Sequence, residues 1–196
     1  MIKILKYLLL LVATVFMCGC NNWHEPSVHV NGFPPIFPDY NGVTIPVNIA
    51  PLNFEVKEAD RIQAIFKAGK EELRVSGDRF LDIDIDSWRT LADAALKSDG
   101  KISVTVSVWM GQEPDGVEYR PFDLFVSADE IDPWIAYRQI PPGYEHWCRM
   151  GIYQRDLTTF NESAIITNSQ NNEGCLNCHS FAQYDAGKGM VFHSRG

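Results

Sequence analysis

Between Leu52 and Ala128, apolar and polar residues alternate with a period of two. Ile62, Ala64 and Phe66 share one face of the stretch from Arg61 to Lys67. Leu81, Ile83 and Ile85 alternate with Asp82, Asp84 and Asp86. Ile102, Val104, Val106, Val108 and Met110 alternate with Ser103, Thr105, Ser107 and Trp109, and Phe122, Leu124 and Val126 continue the theme. Successive side chains of a strand point to opposite sides of its sheet, so a strand with one face in a core reads this way. One interval breaks the period. Trp88, Leu91, Ala92, Ala95 and Leu96 recur at helical spacing, with Asp86 or Ser87 placed to cap the start and Gly100 near the end. The expectation is a mainly β chain: an antiparallel β-sandwich of immunoglobulin-like size over residues 52–160, with one connecting helix.

Both ends depart from this pattern. Lys3 and Lys6 precede an apolar run, Tyr7 to Met17, that is short for a membrane span and has the length of a signal-peptide core. Met17-Cys18-Gly19-Cys20 follows, and small residues ending in Cys at this place resemble the bacterial lipobox. Residues 1–19 then form a lipoprotein signal peptide. Cys20, which follows Gly19 and so fits the cleavage pattern better than Cys18, accepts the lipid through its thiol. Several acyl chains on one residue make a firm anchor. The expected location is the cell envelope, lipid-anchored and facing the periplasm, and Asn21 rather than Asp after Cys20 points to the outer membrane. Residues 20–51, rich in Pro, Gly and Asn, read as a tether that becomes an extended segment lying on the body, with Phe33, Ile36, Phe37 and Tyr40 available to pack.

Towards the other end, Trp134, Tyr137, Tyr144, Trp147, Tyr153 and Phe160 make a dense aromatic stretch whose simplest use is core, with some rings free to cover a cofactor. Asn161 to Glu173 is polar and reads as a loop. Residues 161–196 are expected to be an irregular attachment segment.

Charge narrows the partners. The net charge of −8 becomes −10 once Lys3 and Lys6 leave with the leader. An acidic body without a basic run argues against nucleic acid and is compatible with docking to a basic protein. Asp82-x-Asp84-x-Asp86 has the spacing of a calcium loop, but Ser87 stands where the turn needs Gly, so a solvated strand face is the better reading.

The chemistry lies in Cys175-Leu-Asn-Cys178-His179. C-x-x-C-H is the spacing of c-type haem attachment. Two thiols add to the two haem vinyl groups, a two-residue gap matches the vinyl separation when the segment curls into a helical turn, and the adjacent imidazole then becomes the proximal iron ligand. One covalent haem c, held by Cys175 and Cys178 and ligated by His179, is the expectation. A thioredoxin-like disulfide expects a strand before the motif, and a zinc site drawn from Cys175, Cys178 and His193 lacks a second C-x-x-C. Cys148 is left over and reads as a buried thiol. For the sixth iron position His193 is favoured, with Met190, His146 and Met150 as alternatives; His24 and His29 lie in the tether.

Ile49 to Phe54, Ile140 to Tyr144, Met150 to Arg155 and Cys175 to Phe181 resemble segments of bacterial lipoproteins in which a haem motif precedes a TolB-like β-propeller, sometimes labelled cytochrome c biogenesis proteins. The resemblance covers about residues 40–196 and implies that Cys175, Cys178 and His179 carry haem, with Phe192-His193-x-Arg195-Gly196 leading into a first propeller blade. On it, this sequence is the N-terminal part of a longer protein. The functional expectation is a membrane-anchored, electron-transferring cytochrome with a redox partner protein. The alternatives are a periplasmic scaffold or assembly protein in which haem is structural, and a peroxidase-like use of an open iron position.

Overall fold

The computed structural model describes residues 23–111, 113–142 and 150–195. Cys18, Cys20, Tyr144, His146, Trp147 and Cys148 lie outside them. The chain is mainly β with a single α-helix among the described residues and several antiparallel sheets, a sandwich-like arrangement.

The first body is built on a seven-stranded sheet. In chain order the strands are β1 (Val28–His29), β2 (Thr44–Pro46), β3 (Phe54–Glu55), β4 (Arg61–Ala68), β5 (Glu71–Gly77) and β6 (Phe80–Leu81). Helix α1 (Ile85–Leu96) is followed by β7 (Lys101–Met110), β8 (Glu113–Glu118) and β9 (Phe122–Ser127). Strand β7 is the spine. One edge pairs antiparallel with β4, and the other is shared by β9 at residues 101–104 and β8 at residues 107–110. β5 extends the sheet beyond β4. The Pro-rich N-terminal stretch is stitched in by parallel pairing, β1 on β8 and β2 on β9. β3 and β6 form a separate small pair.

The alternating residues form the core: Ile62, Ala64, Phe66, Ile102, Val104, Val106, Val108, Phe122 and Leu124 are all buried, as are Trp88, Leu91, Ala92 and Ala95 of α1. The Trp88 ring meets Phe66 edge-on at 6.3 Å, and its Nε1 donates to the Ile49 carbonyl at 3.1 Å. The amphipathic ring is thus buried with its polar atom satisfied.

The helix starts earlier than the expected Asp86 or Ser87. Asp84 is its N-cap, accepting from the Ser87 backbone N–H at 2.9 Å and the Ser87 hydroxyl at 2.8 Å. The Leu81–Asp86 alternation is therefore a strand only at Leu81. Beyond it, Ile83 packs into the core and the Asp residues cap and lead a helix rather than line a strand.

The second body starts after Asp132. A three-stranded antiparallel sheet runs β10 (Trp134–Gln139), β11 (Gly151–Asp156) and β12 (Glu162–Thr167). A 3-10 turn at Asn168–Asn171 leads into a hairpin of β13 (Cys175–Phe181) and β14 (Met190–Arg195). The expected polar loop at 161–173 is thus half strand, and the expected irregular C-terminal segment is a hairpin. β12 was masked by its sequence, Glu-Ser-Ala-Ile-Ile-Thr, which has no clean alternation because the pairing shifts register between Ile152 and Tyr153 of its partner. Asn48 holds the connecting segment, donating to the Ile131 carbonyl and accepting from its N–H, and the Ala50 N–H donates to the Leu157 carbonyl of the second body at 2.8 Å.

Two predictions follow from the helix. Trp88→Ala leaves a large hole in the main core and is expected to cost about 3–5 kcal/mol, read as a lowered denaturant midpoint at unchanged slope. The Asp84 carboxyl is held below its ordinary value, first by the Ser87 N–H and then by its hydroxyl. A depressed folded value contributes stability in full above the ordinary carboxylate range and loses it as pH falls through the lowered value. The stability gap between wild type and Asp84→Ala is therefore expected to be widest at neutral pH and to close on acidification; a gap independent of pH would contradict the capping role.

Candidate cofactor-attachment site

The C-x-x-C-H segment occupies β13 and is extended. Cys175 pairs opposite Arg195, Leu176 opposite Ser194 and Asn177 opposite His193. The ladder then slips: His179 faces Phe192, leaving Cys178 in a bulge without a partner. Beyond it Ser180 pairs with Val191 and Phe181 with Met190. Both thiols are free, Cys175 half-buried and Cys178 exposed.

The hairpin is held on the three-stranded sheet by few contacts of high specificity. Leu176 is fully buried, and its N–H donates to the Met150 sulfur at 3.3 Å. His179 Nε2 donates to the Ala136 carbonyl of β10 at 3.3 Å. Arg138 bonds the Asn177 side-chain oxygen, and the Ser194 hydroxyl donates to Asn171 Oδ1 at 2.8 Å. Gly174 fits the close approach at the open end, where Arg195 and Asn171 crowd its Cα. On either side of β13 the backbone enters the left-handed region at non-glycine residues, Asn172 and Glu173 before it and Gln183 and Tyr184 after it. Each such residue carries strain on the order of 1 kcal/mol.

Beside His179 lies a cavity of about 470 Å³. Trp134, Ala136 and Gln154 contribute from the sheet, Ile165 from β12, and Phe181, Tyr184 and Met190 from the hairpin and its loop. Ala136 lines this cavity and its carbonyl accepts the His179 bond, while Cys175, Cys178 and His179 are not themselves part of the lining. The His179 and Phe181 rings meet edge-on at 6.4 Å, as expected for residues two apart on one face. On the sheet's other face Tyr137 bonds Glu162, which also pairs with Arg155 at 3.1 Å. The hydrogen bond to the Glu162 carboxylate raises the Tyr137 hydroxyl above its ordinary value.

The residues expected to serve the iron separate clearly. Met190 lies on the cavity wall. Met150 is buried beneath the motif with its sulfur accepting the Leu176 N–H. His193 is exposed and opposite Asn177; since neighbouring residues of β14 point to opposite faces, it lies on the face turned away from His179 and Phe192. His29 bonds Glu118 and His24 packs on Trp109, both on the first body. Among the described residues, no group of three or more His, Cys, Asp or Glu side chains is arranged to hold a metal ion, so Cys175, Cys178 and His193 do not converge as a zinc set.

The donor set, two free thiols and an adjacent imidazole, is of the kind that holds a porphyrin covalently, and an aromatic, largely apolar cavity lies beside the Ala136 strand position that His179 bonds without being lined by any of the three. The backbone path differs from the expected helical turn. The ladder is extended on both sides of Cys178, with the register slip between Asn177 and His179, and is not a helical turn. Attachment through both sulfurs requires residues 175–178 to leave the ladder and curl. The cavity wall was not foreseen residue by residue, although the aromatic density of residues 129–160 was its available signal.

No protein family, curated protein or solved structure matches the chain.

A Cβ on Gly174 would lie 2.5 Å from the Arg195 carbonyl oxygen and 2.8 Å from Asn171 Nδ2. Gly174→Ala is expected to loosen the hairpin by about 1–3 kcal/mol. Amide exchange over residues 175–195 should accelerate while β4 and β7 keep their protection; unchanged exchange in the hairpin would show that this packing is not what holds it.

Proposed function

We propose that the chain is a c-type cytochrome lipoprotein of the cell envelope, anchored at Cys20 and carrying one covalent haem at Cys175 and Cys178 with His179 as proximal ligand. The observation that carries the proposal is the C-x-x-C-H run itself, with both thiols free and the His179 imidazole bonded to the carbonyl of Ala136, a residue that lines the aromatic cavity. A bound haem supplies a one-electron couple. The chain's residues do the rest. Cys175 and Cys178 offer two thiols whose two-residue gap matches the two vinyl groups once residues 175–178 curl out of the ladder. His179 gives up the Ala136 carbonyl so that Nε2 is free to ligate. Trp134, Ile165 and Phe181 exclude water from the macrocycle, which is a lever on potential. A lipid anchor confines the centre to a membrane surface and raises the effective concentration of a redox partner there.

A second reading, a scaffold in which haem is structural, is favoured by one feature. The buried hydrophobics among the described residues beyond 130 are only Met150, Ile152 and Leu176. Such a body gains stability from whatever fills its cavity. Rapid electron exchange with a multihaem protein supports the carrier, whereas partner capture that survives loss of both thiols supports the scaffold.

The test is expression with a cytochrome c maturation system. The expected result is a thioether-type pyridine haemochrome, a haem adduct in the intact mass, and loss of both in the Cys175→Ala, Cys178→Ala double variant. A colourless mature protein with its thiols free or joined to each other would sink the proposal.

A further inference from the structure

We infer that Phe37, Glu55 and Phe80 form a docking site for an arginine side chain of a basic partner protein. The site lies on the first body and holds whatever cofactor the second body carries. Strand register builds it. Glu55 exchanges both backbone hydrogen bonds with Phe37, at 2.8 and 2.9 Å, and pairs with Phe80 on its other edge. Cross-strand partners project from one face, so the three side chains stand in a row with the carboxylate in the middle. Two strand spacings separate the Phe Cα atoms by about 10 Å. The neighbouring Phe54 and Leu81 turn inwards and are 2% and 0% exposed, and Ile36 beside Phe37 is buried as well. The row is thus pinned from beneath, yet Phe37 is 61% and Phe80 50% exposed. Large rings held rigid in water suit an interface, because little freedom is lost when a partner covers them.

Charge selects the partner. Glu55 is half-buried, and among the described residues no hydrogen bond or ion pair reaches its carboxylate. A ring face attracts a cation, and a guanidinium both stacks on rings and forks onto a carboxylate. The exposed Lys57 already lies over the Phe37 ring at 5.6 Å, so this face accepts a cation, but Lys57 makes no ion pair with Glu55. Phe125 shows the completed version of the same set. Lys101 lies over its ring at 5.5 Å and pairs with Asp123 at 3.7 Å, so ring, cation and carboxylate are satisfied within the chain. At Glu55 the cation that pairs with the carboxylate is missing.

A protein fits this face better than lipid does. The net charge of −8 draws a basic surface towards the chain and sets it against anionic headgroups. Sinking the two rings into a bilayer would also press an unpaired carboxylate against hydrocarbon, which is costly. An arginine of a partner covers both rings and neutralises Glu55 in one contact.

The experiment uses the full chain in phosphatidylcholine nanodiscs, titrated with the peptide acetyl-Gly-Arg-Gly-Arg-Gly-amide and with its lysine counterpart, and follows the NMR signals of residues 37, 55, 57 and 80. The arginine peptide is expected to shift these signals saturably and to bind about threefold more tightly than the lysine peptide. Glu55→Gln, which keeps the shape, and Phe80→Ala, which removes an exposed ring, should each weaken binding about threefold. Lys57→Gln removes a competing cation and should tighten it about twofold. Phe125→Ala should change nothing. The inference is overturned if the shifts spread evenly over the acidic surface, if Glu55→Gln and Phe80→Ala bind as wild type does, or if Phe125→Ala weakens binding as much as they do. It is also overturned, in favour of a membrane contact, if a nitroxide-labelled lipid broadens the Phe37 and Phe80 ring signals while the peptide leaves them unmoved.

Discussion

For the proposed attachment, three donor atoms within five residues have to reach one small volume, and backbone conformation decides whether they can. In a helical turn, positions three and four apart come to one side. In a regular strand they alternate, and here the alternation is interrupted at Cys178, between Asn177 and His179. The hairpin holds the motif extended, with the His179 imidazole bonded to the Ala136 carbonyl and both thiols free. The bulge at Cys178 is where this arrangement is weakest, since the ladder is already interrupted there. The left-handed residues on both flanks add local strain that a rearranged motif could release.

The two bodies differ in how far they can support such a change. The first has a continuous core, from Ile36 at the N-terminal stretch to Val126 in β9, with α1 packed on it. The second buries Met150, Ile152 and Leu176 and leaves Trp134 50%, Phe160 48% and Val191 71% exposed. At about 25 cal/mol per Å² of apolar surface covered, a macrocycle seated against Trp134, Ile165 and Phe181 would contribute a substantial share of that body's stability. Local opening concentrates where buried contacts are few, so the motif sits in the part of the molecule best able to refold around a ligand.

What could be read from the sequence follows the strength of each residue's constraint. β4, β7 and β9 were legible because each has one face in a deep core and so alternates strictly. The helix was legible through Trp88, Leu91, Ala92 and Ala95, but its first turn was not. Ile83 and Ile85 extend the strand-like alternation past the true start, and only the Asp84 side chain, bonding to Ser87, reveals the switch. β12 and the hairpin were hidden for the opposite reason. Their faces are shallowly buried, register shifts break the period at Ile152/Tyr153 and Asn177/His179, and strand pairing rather than hydrophobic patterning sets their shape.

The N-terminal stretch is packed on the body more tightly than a Pro-rich tether suggests. Trp23, three positions after Cys20, already lies under the Arg74 guanidinium at 5.1 Å, and the His24 N–H donates to Gln63 at 3.3 Å. Three residues span at most about 11 Å when fully extended. With Cys20 lipidated as proposed, the first body is held against the membrane surface rather than swinging from it. Such a tether gains little in reach and much in local concentration, and it constrains orientation as well. An electron carrier built this way serves a partner embedded in or docked on the same membrane, because a partner across the periplasm would lie beyond the arc that three residues allow.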